Sequence, residues 1–278
     1  MTNEQYIVTA IDAFNLLLTK LNNKWPTTKR KSDHGFDTCW AGIKIPIFNI
    51  SCRKAVPNEF DELQDSFNYI QKLAKELDAD QLGGTVVIEV GQLIDQGVSA
   101  RIITETAKAR GLEAALYDTM VCELSPVNEI DLKGLRIERV TEAEQLRDLL
   151  GLFLTSLESP FYYDLDWSPS MNYWKTTYSY VGYIGDKIVT TTTTIVHENK
   201  IFVAFVATDP DYRRRGYASA IMQYSMQKAY EATGATVSLL HATAMGREVY
   251  LRLGFKTIGL VAFAGYAPGG VSEIEAAA

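Results

Sequence analysis

Cysteine is scarce in this chain, with three in 278 residues, Cys39, Cys52 and Cys122. They are odd in number and widely spaced, which excludes a disulfide framework and a zinc-ligand spacing, so a reducing cytoplasmic setting and no metal are expected. Long apolar runs are missing too. None approaches the roughly 20 residues that span a bilayer. No cationic stretch precedes an apolar core at the N-terminus, so neither a membrane anchor nor a secretory leader is expected. Positive charge is in deficit, with 27 Lys and Arg against 34 Asp and Glu, a net charge of -7 and a pI near 5.1, which argues against nucleic acid as a partner. What is present is 47% hydrophobic and 22% charged. That is an ordinary globular composition, long enough for one large domain or two small ones, and two are expected.

Against the acidic background, positive charge gathers at three consecutive arginines, Arg213, Arg214 and Arg215. Ile201 to Val206 reads as a buried strand, Asp209-Pro210-Asp211 stops it, and Gly216 to Thr233 carries a helical pattern. The basic loop therefore sits at a helix N-terminus. There the first N–H groups lack intrahelical partners, and the positive end of the helix dipole favours an anion. Gly216 lets backbone come close, and Ala218 is small enough not to block the approach. A pyrophosphate suits such a place better than a lone carboxylate, because several N–H groups converge on it and arginine adds charge-assisted hydrogen bonds. Taken alone, the stretch reads equally as a basic turn opening a surface helix.

Arg213-x-x-Gly216-x-Ala218 after a strand resembles the motif with which the GNAT acetyltransferase superfamily grips the pyrophosphate of acetyl-CoA. A second motif follows in register: a strand from Ala235 to His241, then a short helix carrying Tyr250, then Gly254-Phe255. The resemblance covers roughly residues 133 to 266 and is to the bacterial two-domain form. It implies an α/β (α+β) protein of tandem GNAT-like domains, each a mixed, mostly antiparallel central sheet flanked by helices. The expected division is a degenerate domain over 1–127 and a catalytic domain over 133–278.

Along the first half, Ile7, Ile11, Phe14, Leu18 and Leu21 share one helical face, ending at Trp25-Pro26. Thr27 to Asp37 reads as a polar, basic loop, followed by strands around Thr38 to Ile43 and Ile47 to Arg53. Phe60, Leu63, Phe67, Ile70, Ala74 and Leu77 mark a second helix, Thr85 to Val90 a buried strand, and Val98 to Arg110 a helix capped by Gly111. A strand near Glu113 to Leu124 closes the half. Thr85 to Val90, helix, Gly111-Leu112, strand echoes Thr236 to His241, helix, Gly254-Phe255, strand. Cys52 to Asn58, however, carries no Arg-x-x-Gly-x-Ala, so this half is expected not to hold CoA.

Ser125 to Lys133 reads as a linker. Leu135 to Val140 alternates as a strand, and Thr141 to Glu144 forms a capping box before a helix with Leu146, Leu149, Leu150, Phe153, Leu154 and Leu157 on one face. Hairpin turns are expected at Gly185-Asp186 and Glu198-Asn199. The run Thr190 to Thr194 suggests only β-propensity.

Acetyl transfer from a thioester to an amine needs a placed thioester, a neutral amine and a proton for the departing thiolate. By the resemblance, Val206, Ala207 and Thr208 hold the pantetheine arm and polarise the carbonyl through main chain. Arg213, Arg214, Arg215, Gly216, Tyr217, Ala218 and Ser219 surround the pyrophosphate, and Tyr250 is the general acid. Thr243 stands where many relatives carry an asparagine near the pantetheine, and Gly246 where alanine is common. No general base declares itself, since Ile201 to Val206 is uncharged. Glu158, Asp164, Asp166 and His241 are candidates, and a water relay or an amine arriving neutral would remove the need. The segment Ser159 to Trp174, with Phe161, Tyr162, Tyr163, Trp167, Tyr173 and Trp174 beside Asp164 and Asp166, suits either a wall for a cationic acceptor or plain packing. Two classes remain open: a cytoplasmic N-acetyltransferase acting on a small amine or an exposed amino group, and a non-catalytic acyl-CoA-binding sensor.

Overall fold

The structure is a computed structural model that describes residues 1–22, 25, 27–76, 83–125, 129–156 and 165–266. Several expected features, Pro26, Leu77, part of the 125–133 linker, Leu157, Glu158, Phe161, Tyr162, Tyr163 and Asp164, lie outside those residues. Tertiary contacts divide the chain into two units, Met1–Thr119 with the chain from Ile258 on, and Met120–Thr257.

In the first unit, strands β1 (Lys29–Asp33), β2 (Phe36–Trp40), β3 (Asn49–Arg53), β4 (Gly84–Glu89) and β11 (Lys256–Tyr266) lie side by side in the order β1-β2-β3-β4-β11. All pairs are antiparallel except β3 with β4, which run parallel around the helix Phe60–Glu76. Part of the expected loop at Thr27 to Asp37 is thus a strand. Its residues Lys29 to Asp33 are polar because β1 is an edge with no buried face, and the His34-Gly35 turn, left-handed at both residues (φ 48° and 77°), joins it to β2. The apolar face expected of the first helix, Asn3–Asn22, is buried from Ile7 to Leu21. Leu63, Phe67 and Ile70 pack with Phe36, Trp40, Val86 and Ile88 in one core cluster. The expected helix at 98–110 is Ala100–Lys108, preceded by a short turn of helix, Gly91–Asp95. Gly111 terminates it at φ 71°, its N–H bonding Lys108 O at 2.9 Å.

In the second unit the order is β10 (Val237–Ala242), β9 (Lys200–Thr208), β8 (Lys187–His197), β7 (Tyr178–Ile184), β6 (Arg136–Arg139). This is an antiparallel meander with one parallel pair, β9 and β10, joined through the helix Tyr217–Thr233. Each unit is therefore a mixed, mostly antiparallel sheet with a parallel strand-helix-strand. The meander turns fall at Gly185-Asp186 and at Glu198-Asn199, where φ is 47° and 56°. The capping box differs from expectation by one residue. The helix is Ala143–Ser156, so the third helical position belongs to Gln145, whose Oε1 accepts from Thr141 N (2.9 Å) and Glu142 N (3.3 Å), while Glu144 pairs with Arg147. Strand β5 (Glu113–Glu123) contains the division at Thr119 and Met120.

Candidate active site

The middle of β9 is irregular. Thr193 faces Ala204 and Thr191 faces Ala207, so Phe205 and Val206 together oppose Thr192, a bulge at which Phe205 takes φ 51°. The ladder to β10 joins Ile201–Val203 with Ser238–Leu240. Beyond Val203, Ala204 to Thr208 pair only with β8 among the described residues, and the two parallel strands part. The carbonyls of this stretch are claimed by side chains. Thr191 Oγ1 donates to Phe205 O (3.0 Å), Thr190 Oγ1 to Ala207 O (2.8 Å) and Arg213 Nε to Thr208 O (3.1 Å). The threonine run, fully buried, is therefore more than a β-former: it holds the bulged strand. Val206 and Thr208 are half-buried and Ala207 is buried.

After Thr208 the chain makes a short turn, Pro210–Tyr212, capped by Asp209 accepting from Asp211 N at 2.9 Å. Asp209 also pairs with Lys187 at 2.9 Å, and that contact holds its carboxyl below the ordinary range. Arg214 (φ 62°) and Gly216 (φ 83°) are both left-handed, which folds the loop onto the start of the helix Tyr217–Thr233. Gly216 is the N-cap, and among the described residues no side chain accepts from the first N–H groups. An anion is what such a start accepts. Arg214 and Arg215 are exposed; Arg215 bonds Asp211 O at 3.0 Å and lies over the Tyr212 ring, its Cζ 5.1 Å from the centroid. Ala218 and Ser219 are half-buried, whereas Tyr217 packs with Leu135, Val189 and Ala220. Only its backbone faces this start. Lys133, read from sequence as linker, was missed: a β-carbon at Gly216 would lie 3.4 Å from its Cε, so its side chain borders the same glycine. No spacing in the sequence announces that approach.

The corresponding place in the first unit differs. Where the helix Phe60–Glu76 begins, Glu62 in its first turn accepts from Asn58 N at 3.2 Å and pairs with Arg53 at 3.0 Å, which places a carboxylate of the chain itself beside the helix start.

Tyr250 lies on the helix Ala244–Arg252, 9% exposed, in one cluster with Ile201, Val203, Ala242 and Phe255, against which Val206 also packs. Its hydroxyl makes no hydrogen bond among the described residues, and burial pushes its pKa up to about 12. Thr243 is the N-cap of that helix, its Oγ1 accepting from Gly246 N at 3.2 Å. Capping uses a lone pair and leaves the hydroxyl hydrogen to donate.

Of the candidate bases, Asp166 accepts from Ser168 N at 2.9 Å, which lowers its pKa, and His241 lies edge-on to Phe202 at 5.5 Å. Trp167 and Trp174 are buried, Trp174 stacking on Phe205 at 6.2 Å, and these two serve the core. Tyr173 is half-buried, and desolvation raises its phenol to about 12.

Residues 137–258 match the family described as Acetyltransferase (GNAT) domain. No curated protein sequence matches the chain. Among solved structures, a GCN5-related N-acetyltransferase from Kribbella flavida aligns over 95% of this chain and 98% of its own, with TM-score 0.58 and 16% identity. A functionally unknown conserved protein from Staphylococcus epidermidis aligns over 89% and 97%, with TM-score 0.55 and 12% identity. A GCN5-related N-acetyltransferase from Sphaerobacter thermophilus aligns over 73% and 66%, with TM-score 0.51 and 15% identity. These likenesses are of fold. The family match, which takes in the strand, loop and helix that carry both sequence motifs, identifies residues 137–258 as a GNAT acetyltransferase domain.

Proposed function

We propose that this protein is a cytoplasmic, acetyl-CoA-dependent N-acetyltransferase that moves an acetyl group to a primary amine of a small molecule or an exposed amino group. Residues 133–278 are the catalytic domain, and 1–127 a degenerate GNAT-like domain without a pyrophosphate loop. The observation that carries the reading is the uncapped helix start at Gly216, bordered by Arg214, Arg215 and Lys133.

Acetyl-CoA supplies an acyl group on a thioester. The backbone N–H groups of Gly216 to Ser219 and the exposed arginines bind the pyrophosphate. Val206, Ala207 and Thr208, where β9 parts from β10, hold the pantetheine arm through main chain, and Thr243 adds its hydroxyl hydrogen. An N–H of the bulged strand aimed at the carbonyl oxygen is worth about 3 kcal/mol by analogy with other oxyanion donors. Tyr250 holds the proton for the departing thiolate. Its raised pKa keeps the phenol protonated at neutral pH; the same dry surroundings that weaken it as an acid also raise the basicity of the thiolate it serves.

Incubating the protein with acetyl-CoA and a panel of primary amines, while following thiol release and product mass, tests the proposal. Amine-dependent thiol release with an acetylated product supports it. Saturable acetyl-CoA binding without turnover on any amine favours the sensor.

A further inference from the structure

Thr191 and Thr190 lie on β8, and each donates its hydroxyl to a carbonyl of β9, Thr191 Oγ1 to Phe205 O at 3.0 Å and Thr190 Oγ1 to Ala207 O at 2.8 Å. Both carbonyls therefore face β8. In a trans peptide the C=O and the following N–H point in opposite directions, and none of the described peptides is cis. The N–H groups of Val206 and Thr208 consequently point away from β8, to the side on which β9 neighbours β10. There the ladder stops at Val203 opposite Leu240, so these two donors face the gap between the parting strands.

The two donors are not equivalent. Strand β9 runs toward the loop at Gly216, so Thr208 N–H lies nearer the phosphate end. Val206 packs against the cluster that contains Tyr250, which puts its N–H at the acyl end. That N–H depends on an unusual backbone. Phe205 takes φ 51°, a region that bulky residues rarely occupy and that persists only where the surroundings impose it. Here they impose it twice. The Phe205 ring packs against Phe153 (centroids 4.8 Å apart) and Trp174 (6.2 Å), while the fully buried Thr191 holds the carbonyl.

We propose that Thr191 is a positioning residue for acetyl transfer: by fixing the Phe205–Val206 peptide, it aims Val206 N–H at the carbonyl oxygen of the bound thioester. The inference rests on the transferase reading and deepens it. Negative charge develops on that oxygen as the thioester is attacked, and a donor stabilises it most when it is already in place. Without the Thr191 hydroxyl the peptide is free to turn, and a peptide turned over presents a carbonyl where the donor should be.

Infrared difference spectra of acetyl-CoA isotope-labelled at the thioester carbonyl, bound to the full chain, read this polarisation without an acceptor amine. The wild type should shift the carbonyl stretch below its frequency in free acetyl-CoA. Thr191→Val keeps the volume and loses the donor, so most of that shift should vanish, while acetyl-CoA affinity by calorimetry stays within about threefold because the phosphate loop is untouched. Thr191→Ser should restore the shift. Thr191→Ala removes the same hydroxyl without adding bulk and should also lose the shift, which covers misfolding of the valine variant. Ser225→Ala removes another buried hydroxyl of this unit, one that donates to Tyr178 O at 2.7 Å, and should lower the melting temperature with the shift intact. A wild-type shift in either Thr191→Val or Thr191→Ala, an equal loss in Ser225→Ala, or no shift in acetyl-CoA bound to the wild type would overturn the proposal alone. Failure of the wild type to bind acetyl-CoA would overturn the transferase reading with it.

Discussion

A β-carbon at Gly246 would fall 2.9 Å from Cε2 and 3.1 Å from the hydroxyl oxygen of Tyr250. The phenol rests against a bare helix turn, and no larger residue leaves it there. Glycine inside a helix costs about 1 kcal/mol relative to alanine, so the close approach is the reason for the glycine. Gly246→Ala should displace the Tyr250 hydroxyl and slow turnover about tenfold, while the gain in helix propensity keeps the melting temperature within a few degrees. In a Tyr250→Phe background the same change should slow turnover no further; an independent, multiplicative loss would show that Gly246 does not act through Tyr250.

Tyr250→Phe removes one oxygen and keeps the ring. Because the hydroxyl has no hydrogen-bond partner among the described residues, none of them is left unsatisfied, and the melting temperature and acetyl-CoA affinity should hardly change. The turnover number should fall about 10²- to 10⁴-fold, the usual worth of general acid assistance. Parallel steady-state kinetics and thermal melts separate the two quantities, and an unchanged turnover number would end the assignment of the acid.

The parts of this site that sequence discloses are those written in residue types with strong local preferences. Asp209-Pro210-Asp211 and Gly216 punctuate the chain, so the strand, loop and helix around them were legible. Phe205 was not. It is a β-former, and only the two-against-one pairing with Thr192 reveals its left-handed backbone. The threonines beside it read as simple strand residues, because their hydrogen bonds reach carbonyls 14 and 17 positions away. Strand β1 hid for the opposite reason: an edge strand needs no apolar face, so Lys29 to Asp33 carries no periodic signal. Trp167 and Trp174 looked equally suited to a ligand wall and to a core until their burial was known.

Glu89 gives the N-terminal unit a pH signature. Burial lifts its carboxyl from an ordinary 4.5 to about 7, so the folded chain holds this proton more tightly than the unfolded one. The stabilisation is fully present below about pH 4.5 and is lost as pH rises through about 7, above which it stays flat; the gap corresponds to about 3 kcal/mol. In ligand-free protein, stability should decline between pH 5 and 8 in the wild type and decline less in Glu89→Gln. Denaturant melts at several pH values check this, and parallel profiles would contradict it.

The central claim is that one helix start, at Gly216, binds the pyrophosphate of acetyl-CoA. Titration of acetyl-CoA into the wild type and into Gly216→Val, followed by calorimetry, tests it most directly. A side chain at φ 83° strains the loop by about 1 to 2 kcal/mol, and its β-carbon meets nothing nearer than Lys133 Cε at 3.4 Å, so the fold should survive. The account predicts one site per chain, because the corresponding helix start in the first unit has the Glu62 carboxylate beside it and no arginine-glycine loop before it, and an affinity at least tenfold weaker in the variant, or about 1.4 kcal/mol. Two equivalent sites, or unchanged affinity in a folded Gly216→Val protein, would contradict it.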